Sequence, residues 1–478
     1  MRLPVLAVTL VATAALSSGA ANAQNLTPHT FKAADGTTVE AQKGWIEVSE
    51  DRENPRSRRI KLHFVRFPST AAKPGSPIVY LAGGPGGSGI STARGARFPI
   101  FMAMRAKADV IAYDQRGTGE SDSVPFCAAS QPLREITAAA LEARSRSQFE
   151  RCWAWWKTQG VAIEGYDTWQ NAADLDDLRR ALGAKKISLW GISYGSHLAL
   201  AALKRQPKHI DRVALASLEG LDQTVRLPST YNAYLARVAA LAAAASPAGA
   251  DRPDLLAVIR RVHGRLDAAP AEVTFSPPPG AAPVTLELGA AAAQLAVSGM
   301  IADPETVAQI PALYAALDAG HYEPLAQLIY WRLGGDRQGM RGMAEATDLA
   351  SGVSAGRLAR FRREAPGSLL GAAGTFPMPQ LAGAAPEADL GERFRTPFRV
   401  RHPAFIVMGS LDGRTPVEEQ RDTSRLFTNA TSLTVINAGH NVWESHPEVA
   451  KRLTAFFGGE PVADTPIMLP PPRFVTGP

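Results

Sequence analysis

The chain has 478 residues, of which 45% are hydrophobic and 20% are charged, and its formal net charge at pH 7 is +6. This composition is typical of a folded globular protein and excludes a mainly disordered chain. The 51 basic residues are dispersed among 45 acidic ones, and the short basic clusters lack interleaved aromatic residues, so we expect no nucleic-acid partner.

The first 23 residues have the pattern of an export signal. Arg2 precedes an apolar run from Leu3 to Leu16, and the segment ends in the small-residue sequence Ala21-Asn22-Ala23. The run is too short to cross the roughly 30 Å hydrocarbon layer of a bilayer, which argues against a membrane anchor. We therefore expect cleavage after Ala23, a secreted or periplasmic mature chain, and no membrane span after signal removal.

The two cysteines, Cys127 and Cys152, both follow the export signal. They would therefore reach an oxidising compartment, where disulfides form and persist. We predict that they pair with each other, with two buried free thiols as the alternative. Neither cysteine has the spacing of a metal site or of a Cys-x-x-Cys motif.

The elements after the signal predict an α/β protein. Residues 45–48 and 60–67 predict two strands of a hairpin, joined by a polar segment that contains Asn54-Pro55. Four short apolar runs follow, separated by segments long enough for crossover helices: 78–81, 110–113, 187–190 and 213–216. Continuous apolar strands of this kind indicate a mostly parallel central sheet flanked by helices on both faces.

The second half of the chain predicts an insertion followed by a return to the sheet. Residues 227–395 are Ala-rich helical stretches broken by Pro and Gly, which we interpret as an inserted, mainly helical lid domain. Two strand signals, 405–408 and 433–436, and a helix near 447–456 then follow. The predicted organisation is a signal peptide, a first core part, the lid, a second core part and a Pro-rich surface tail: 1–23, 24–226, 227–395, 396–459 and 460–478.

The predicted strand at 187–190 leads directly into Gly191-Ile192-Ser193-Tyr194-Gly195 and then into an apolar-periodic helix. A Gly-x-Ser-x-Gly sequence between a strand and a helix is the nucleophile elbow of the α/β-hydrolase fold. The strained turn presents the Ser193 hydroxyl above the sheet, and the glycines let strand and helix approach closely. The same five residues can also form an ordinary turn, so the strand-to-helix context carries the prediction.

A serine hydroxyl needs a histidine base and an acid that orients the imidazole. In this fold the acid follows a late strand and the histidine follows the last one. Asp412 comes after the strand predicted at 405–408, and His440 comes after the strand predicted at 433–436. We expect the competing histidines to be structural and the competing acids to lie on a surface helix; these are His197, His402, His446, Glu418 and Glu419.

Backbone N–H groups must stabilise the oxyanion that forms during acyl transfer. One donor should be the amide of Tyr194, directly after the nucleophile. The other should come from the glycine-rich segment GGPGGSG that begins at Gly83; we select Gly84, with Gly83 as the fallback. A phosphate-binding loop is the alternative, but no Gly-Lys-Ser/Thr follows.

The segment DQRGTGES, which begins at Asp114, follows another predicted strand. Its charges and glycines suggest chemistry, but we favour a structural role in which Asp114 and Arg116 fix the turn beneath the oxyanion loop. The chemistry predicted so far needs no cofactor and no metal.

Together the segments GGPGGSG, DQRGTGES, YDTWQNAADLDDLRRALG, GISYGSHLAL, GSLDGRTP and NAGH resemble the proline iminopeptidase and tripeptidyl aminopeptidase family of serine peptidases. The resemblance is strongest over residues 78–220 and 404–441 and weakest over the predicted lid. It differs from many iminopeptidases at Ala82, where they have His, and at Tyr194, where they often have Trp, and both differences favour the tripeptidyl branch.

This resemblance implies an exported serine aminopeptidase that releases one or a few residues from a free peptide amino end, often at proline. Such an enzyme needs carboxylates to hold the ammonium group. The candidates are Glu219, Glu345 and Asp348.

Two other functions remain open at this stage. An esterase or another small-acyl serine hydrolase would use the same machinery, because the fold does not name the substrate. A non-catalytic secreted binding protein would not need a complete triad. The expected partner is a peptide or small acyl substrate, and the sequence makes no prediction of oligomeric state.

Overall fold

A ten-stranded sheet forms the centre of the described protein. The computed structural model describes residues 24–245, 254–277 and 280–475, so the predicted signal peptide, residues 1–23, lies outside the described residues. The strands in chain order are β1 (Gln24–Lys32), β2 (Thr38–Ser49), β3 (Arg59–Phe67), β4 (Ile78–Leu81), β5 (Val110–Tyr113), β6 (Cys127–Ala128), β7 (Glu135–Ile136), β8 (Ile187–Ile192), β9 (Ile210–Ala216), β10 (Ala271–Phe275), β11 (Val284–Leu288), β12 (Gly339–Met340), β13 (Ala404–Gly409), β14 (Ala430–Ile436) and β15 (Ile467–Met468).

The central sheet has the order β1-β2-β3-β5-β4-β8-β9-β13-β14-β15. Its first strands are antiparallel up to the β3–β5 pair, and every pair from β5 onward is parallel. The predicted mostly parallel sheet is therefore confirmed. The predicted hairpin is β2 and β3, with Trp45 opposite His63, but β2 begins earlier than predicted and β1 was not predicted.

The helices of the described chain are α1 (Gly89–Arg94), α2 (Phe98–Met104), α3 (Ala138–Thr158), α4 (Thr168–Ala181), α5 (Tyr194–Arg205), α6 (Pro228–Ala245), α7 (Leu255–Ala268), α8 (Ala290–Met300), α9 (Pro304–Val307), α10 (Ile310–Asp318), α11 (Glu323–Arg332), α12 (Met343–Ser351), α13 (Ala355–Glu364), α14 (Met378–Leu381), α15 (Gly391–Arg395), α16 (Val417–Ser424) and α17 (Pro447–Phe457). None of them combines the length and the apolarity needed to cross a membrane.

Helices cover both faces of the parallel strands. Val79 and Leu189 point into an apolar cluster formed with α3, α4 and α5. Tyr80 and Trp190, the next residue on each strand, point into a second cluster formed with α2 and α17. Because successive side chains of a strand alternate between faces, a strand covered on both sides must be apolar throughout, which explains the uninterrupted apolar runs.

The segment between β9 and β13 contains α6 to α15 and has an apolar cluster of its own, which includes Leu235, Val262, Leu295 and Tyr314. It is not purely helical, because β10 and β11 form an antiparallel hairpin that was not predicted. The hairpin pairs with β7 and so attaches this segment to the chain before α3. Apolar and polar residues alternate along 271–275, and this pattern is the sequence signal for β10.

Two peripheral features complete the fold. Cys127 and Cys152 form a disulfide between β6 and α3, with their Cα atoms 5.8 Å apart, within the usual range for a disulfide. The C-terminal segment is more than a surface extension, because β15 adds to the edge of the sheet with Ile467 beside Val435. Residues 476–478 of this segment lie outside the described residues.

Candidate active site

Ser193 occupies the sharp turn between β8 and α5. Its φ of 55° and ψ of −128° are a conformation that L-residues rarely adopt and that costs of the order of 1–3 kcal/mol. The turn is held on both sides, because the Ser193 N–H donates to the Ala216 carbonyl at 3.0 Å and the Ser193 carbonyl accepts from the Ser196 N–H at 2.7 Å. A Cβ on Gly195 would clash with the Leu81 backbone, so only glycine allows α5 to pack this closely on β4.

The Ser193 side chain opens into a cavity. Although the residue as a whole is only 5% exposed, its hydroxyl forms no hydrogen bond to any described residue. The cavity is bounded by the sheet edge on one side and by the segment between β9 and β13 on the other, and it is lined by Gly84, Ser193, Glu219, Thr224, Arg226, Ser298, Arg332, Asp348, Gly374, Thr375, Phe376, Met378 and Arg414. A reactant in this cavity would therefore meet a free hydroxyl.

Asp412 and His440 lie in the loops after β13 and β14 and contact each other. His440 Nδ1 is 3.0 Å from both carboxylate oxygens of Asp412, and Asp412 is fully buried. The carboxylate also accepts hydrogen bonds from the Thr415 N–H at 2.9 Å and from Gln420 Nε2 at 3.1 Å. An ionised carboxylate can only accept, so Nδ1 carries the proton and Nε2 of the neutral ring is left as the acceptor.

The strand order brings the segments after β8, β13 and β14, which carry Ser193, Asp412 and His440, to one edge of the sheet. β8, β9, β13 and β14 are consecutive parallel neighbours, so the residues that follow them emerge side by side. Ser217, after β9, connects the loops because its hydroxyl donates to the His440 carbonyl at 2.9 Å. Ser193 and His440 form no hydrogen bond with each other in the described structure, and catalytic hydrogen bonds of this kind often tighten only in the substrate complex.

The two backbone amides predicted as oxyanion donors belong to Tyr194 and Gly84. Tyr194 is the first residue of α5, so its N–H has no acceptor within the helix. Gly84 lines the cavity together with Ser193. The neighbouring Gly83 approaches the nucleophile so closely that a Cβ there would lie 3.0 Å from the Ser193 Cβ, which explains why this loop is rich in glycine.

The charged segment after β5 has two separate structural roles. Asp114 fixes the oxyanion loop as expected, since it accepts from the Ser88 hydroxyl at 2.7 Å and from the Ile90 N–H at 3.0 Å. Arg116 does not act there. It forms a fully buried bidentate ion pair with Asp174 of α4, at 2.8 Å for both contacts, and so fixes α4 to the sheet.

Two of the three candidate substrate carboxylates reach the cavity. Glu219 is 4% exposed and pairs with Arg226 at 2.7 Å. Asp348 of α12 shares the cavity, where burial and then the nearby Glu219 raise its pKa well above the usual value. Glu345 does not line the cavity: its carboxylate accepts from the Gly342 N–H at 2.9 Å and caps the first turn of α12. Burial raises the pKa of Glu345 as well.

The other histidines and acids considered for the roles of His440 and Asp412 have partners elsewhere. His197 is buried between the Gly220 carbonyl and the Ser351 hydroxyl, His446 caps α17, and His402 contacts the Pro207 carbonyl. Glu419 was expected on a surface helix, and this was wrong. It is 2% exposed and pairs with Arg357 of α13, with contacts at 2.5 and 2.6 Å.

Sequence reasoning missed the arginines of the cavity wall. Arg226 pairs with Glu219, Arg332 ends α11, and Arg414 follows Asp412 within the same loop. Arg414 could have been noticed, because it belongs to the quoted segment GSLDGRTP, whereas nothing around Arg332 distinguishes it from a surface arginine. Within the described ranges, no three His, Cys, Asp or Glu side chains converge as ligands for a metal ion.

Comparison with known proteins identifies the fold. The sequence model of the alpha/beta hydrolase fold matches residues 76–447. The chain is 31% identical over 191 residues to the tripeptidyl aminopeptidase of Streptomyces lividans, a match that covers 37% of this chain and 35% of that protein. It is 29% identical over 183 residues to the serine protease Hip1 of Mycobacterium tuberculosis, covering 36% and 35%.

A third relative is the proline iminopeptidase of Neisseria gonorrhoeae, with 23% identity over 175 residues that cover 37% of this chain and 39% of the relative. The chain thus spans little more than a third of the length of each of these curated relatives. The matches are to proteins of the kind that the sequence resemblance named.

Proposed function

Because the chain belongs to the alpha/beta hydrolase fold family, we propose that it is an exported serine aminopeptidase that releases short units from free peptide amino ends through an acyl-enzyme. The observation that carries this proposal is the shared cavity: the free Ser193 hydroxyl opens into the same space as the carboxylates of Glu219 and Asp348. A nucleophile and ammonium-binding groups within one small cavity are what cleavage close to an amino end requires.

In the proposed reaction the Ser193 hydroxyl attacks the carbonyl carbon of the scissile bond while Nε2 of His440 takes its proton. Asp412 holds the imidazole in the required tautomer through the contacts at 3.0 Å and stabilises the imidazolium that forms. The N–H groups of Tyr194 and Gly84 stabilise the oxyanion, with Gly83 as the alternative second donor. His440 then protonates the leaving amine, and water attacks the ester on Ser193 in the second half of the cycle.

Recognition of the amino end is assigned to Glu219 and Asp348. Glu219 is fixed by its ion pair with Arg226, and Asp348 lies across the cavity on α12. An ammonium group between them would form charge-assisted hydrogen bonds and would relieve the repulsion between the two carboxylates. A peptide with a blocked amino end would lose these bonds.

We assign the segment 227–395 as the lid, inserted between the core parts 24–226 and 396–459. Ser298, Arg332 and the stretch 374–378 belong to this segment and close the cavity opposite the sheet. Such a wall would exclude a long chain on the amino-terminal side of the scissile bond. It supports removal of short units rather than internal cleavage.

Export to a secreted or periplasmic location is supported by two features. The first 23 residues have the sequence pattern of a signal peptide. The Cys127–Cys152 disulfide suits an oxidising compartment.

The test uses the mature protein and chromogenic amides of Pro, Ala and Ala-Ala-Pro, each with a free and with a blocked amino end. The same series includes a short-chain ester and a Ser193→Ala control. We expect the free-amine amides to be cleaved, the blocked amides to be cleaved at least tenfold less efficiently, and Ser193→Ala to be inactive on all of them, with a loss of roughly 10³-fold or more.

Turnover of the ester without turnover of any amide would contradict the proposal and would favour an esterase. Equal turnover of free and blocked amides would also contradict it, because the two carboxylates would then play no part in recognition.

A further inference from the structure

The active-site cavity contains more positive charge than its own carboxylates can balance. Among its lining residues, three arginines face two carboxylates. Glu219 is already paired with Arg226 at 2.7 Å. Arg332 and Arg414 form no ion pair with any described residue, so their charges face the cavity without a protein partner.

Arg332 is the better fixed of these two arginines. One of its guanidinium nitrogens donates to the Ser298 hydroxyl at 3.1 Å, which orients the group without neutralising it. Arg332 is exposed and carries its positive charge near a second cation, Arg414, so an anion in the cavity would be attracted by both groups.

Asp348 does not supply that anion. Burial and the proximity of Glu219 raise its pKa well above the usual value, although Arg226 and Arg414 oppose the shift. The cavity carries an excess of one positive charge even when both carboxylates are ionised, and the excess grows when Asp348 is protonated. An anion that binds in the cavity would balance this excess.

We propose that Arg332 and Arg414 form a subsite that binds a carboxylate of the peptide substrate. The inference rests on the proposed function and specifies its substrate class: short peptides that carry an acidic group in addition to the free amino end. Guanidinium groups bind carboxylates through paired, charge-assisted hydrogen bonds, which suits two arginines that line one cavity, Arg332 on α11 and Arg414 in the loop after β13. The carboxylate comes either from an acidic side chain or from the carboxyl end of a short peptide.

The test measures peptide affinity by calorimetry with the Ser193→Ala protein, so that no peptide is consumed. Ala-Ala-Ala amide is compared in versions with Glu or Gln at each position in turn, which tests the side-chain source. Ala-Ala-Ala with a free carboxyl end is compared with its amide, which tests the terminal source. The substitutions Arg332→Gln and Arg414→Gln are then added singly and together, and Arg260→Gln on the exposed face of α7 is the matched control.

We expect the carboxylate member of at least one pair to bind roughly ten- to a hundredfold more tightly, as charge-assisted hydrogen bonds require. Each of the two substitutions should reduce that ratio, and the double variant should bring it close to one. Arg260→Gln should leave the ratio unchanged.

An affinity ratio near one for every pair would overturn the subsite, as would a preference that survives in the double variant. Both results are independent of the proposed function. Turnover of free-amine amides by the wild-type protein is measured separately, and its absence would count against the aminopeptidase and not against carboxylate binding.

Discussion

The two walls of the active-site cavity are built on different principles. On the sheet side, Asp412 has several protein partners, because it is held by Thr415, Gln420 and His440. On the opposite wall, Arg332 has only a neutral hydroxyl as a partner. The difference indicates that Asp412 and His440 are held in place by the protein itself, whereas no carboxylate of a described residue balances the Arg332 guanidinium.

The two walls are nevertheless joined by hydrogen bonds to the residues that follow α8, Ile301 to Asp303. The turn after α8 accepts hydrogen bonds from the loops that carry Asp412 and His440, from the Gly413 N–H to the Ile301 carbonyl at 3.0 Å and from the His440 N–H to the Ala302 carbonyl at 2.7 Å. Asn441, next to His440, adds a further hydrogen bond by donating to Asp303 at 3.2 Å. The segment between β9 and β13 therefore supports the loops of Asp412 and His440 as well as closing the cavity.

The largest effect is expected from breaking the contact between Asp412 and His440 on the sheet side of the cavity. Asp412→Asn should lower kcat/KM for an amide substrate with a free amino end roughly a thousand- to ten-thousandfold. The asparagine side chain would favour the wrong tautomer of the His440 imidazole. Asp422→Asn, on the exposed face of α16, is the matched control and should have no effect. Steady-state kinetics with circular dichroism as a folding check measure both, and a loss below tenfold for Asp412→Asn would contradict the assignment.

A smaller effect, on KM, is expected for Glu219, one of the two carboxylates proposed to bind the amino end of the substrate. Glu219→Gln should raise KM for free-amine substrates about ten- to a hundredfold, because one charge-assisted hydrogen bond to the ammonium is lost. Asp422→Asn, on the exposed face of α16 and outside the cavity, serves again as the control. If the two variants raise KM equally, Glu219 has no special part in recognition.

A third prediction concerns pH. Asp348 is neutral below its raised pKa and ionised above it, so its attraction for an ammonium group should appear only as pH rises through that value. KM for free-amine substrates should fall severalfold over this range, with Glu219, Glu345, Arg226 and Arg414 as the charged groups that set the midpoint. Asp348→Asn should abolish this dependence of KM on pH, and a dependence that persists in the variant would assign it to another group.

The smallest kinetic effect is expected far from both walls. Replacing Cys127 and Cys152 by Ser should lower the free energy of unfolding by about 3 kcal/mol, because the unfolded chain is no longer cross-linked. At temperatures well below unfolding, kcat/KM should stay within about threefold of the wild type, since distant sites act independently. Urea titration and steady-state kinetics on the same preparation separate the two effects, and a large loss of activity in the folded variant would contradict this independence.

The contrast between the walls also explains what the sequence could predict. The strands of the core were predictable because burial on both faces demands uninterrupted apolar runs, and the turn at Ser193 because its strained geometry demands glycines at fixed spacing. The burial of Glu419 and the position of Arg332 depend on contacts with segments distant in the chain. Local sequence carries no signal for such contacts, so these features required the structure.

The central claim is that Ser193 is the covalent nucleophile, and labelling with a fluorophosphonate followed by peptide mapping tests it most directly. We predict a single adduct, carried by the Ser193 hydroxyl, that appears in step with the loss of amide hydrolysis and that needs an intact His440. An adduct on another residue, such as Ser196 or Ser217, accompanying the same loss of activity would contradict it.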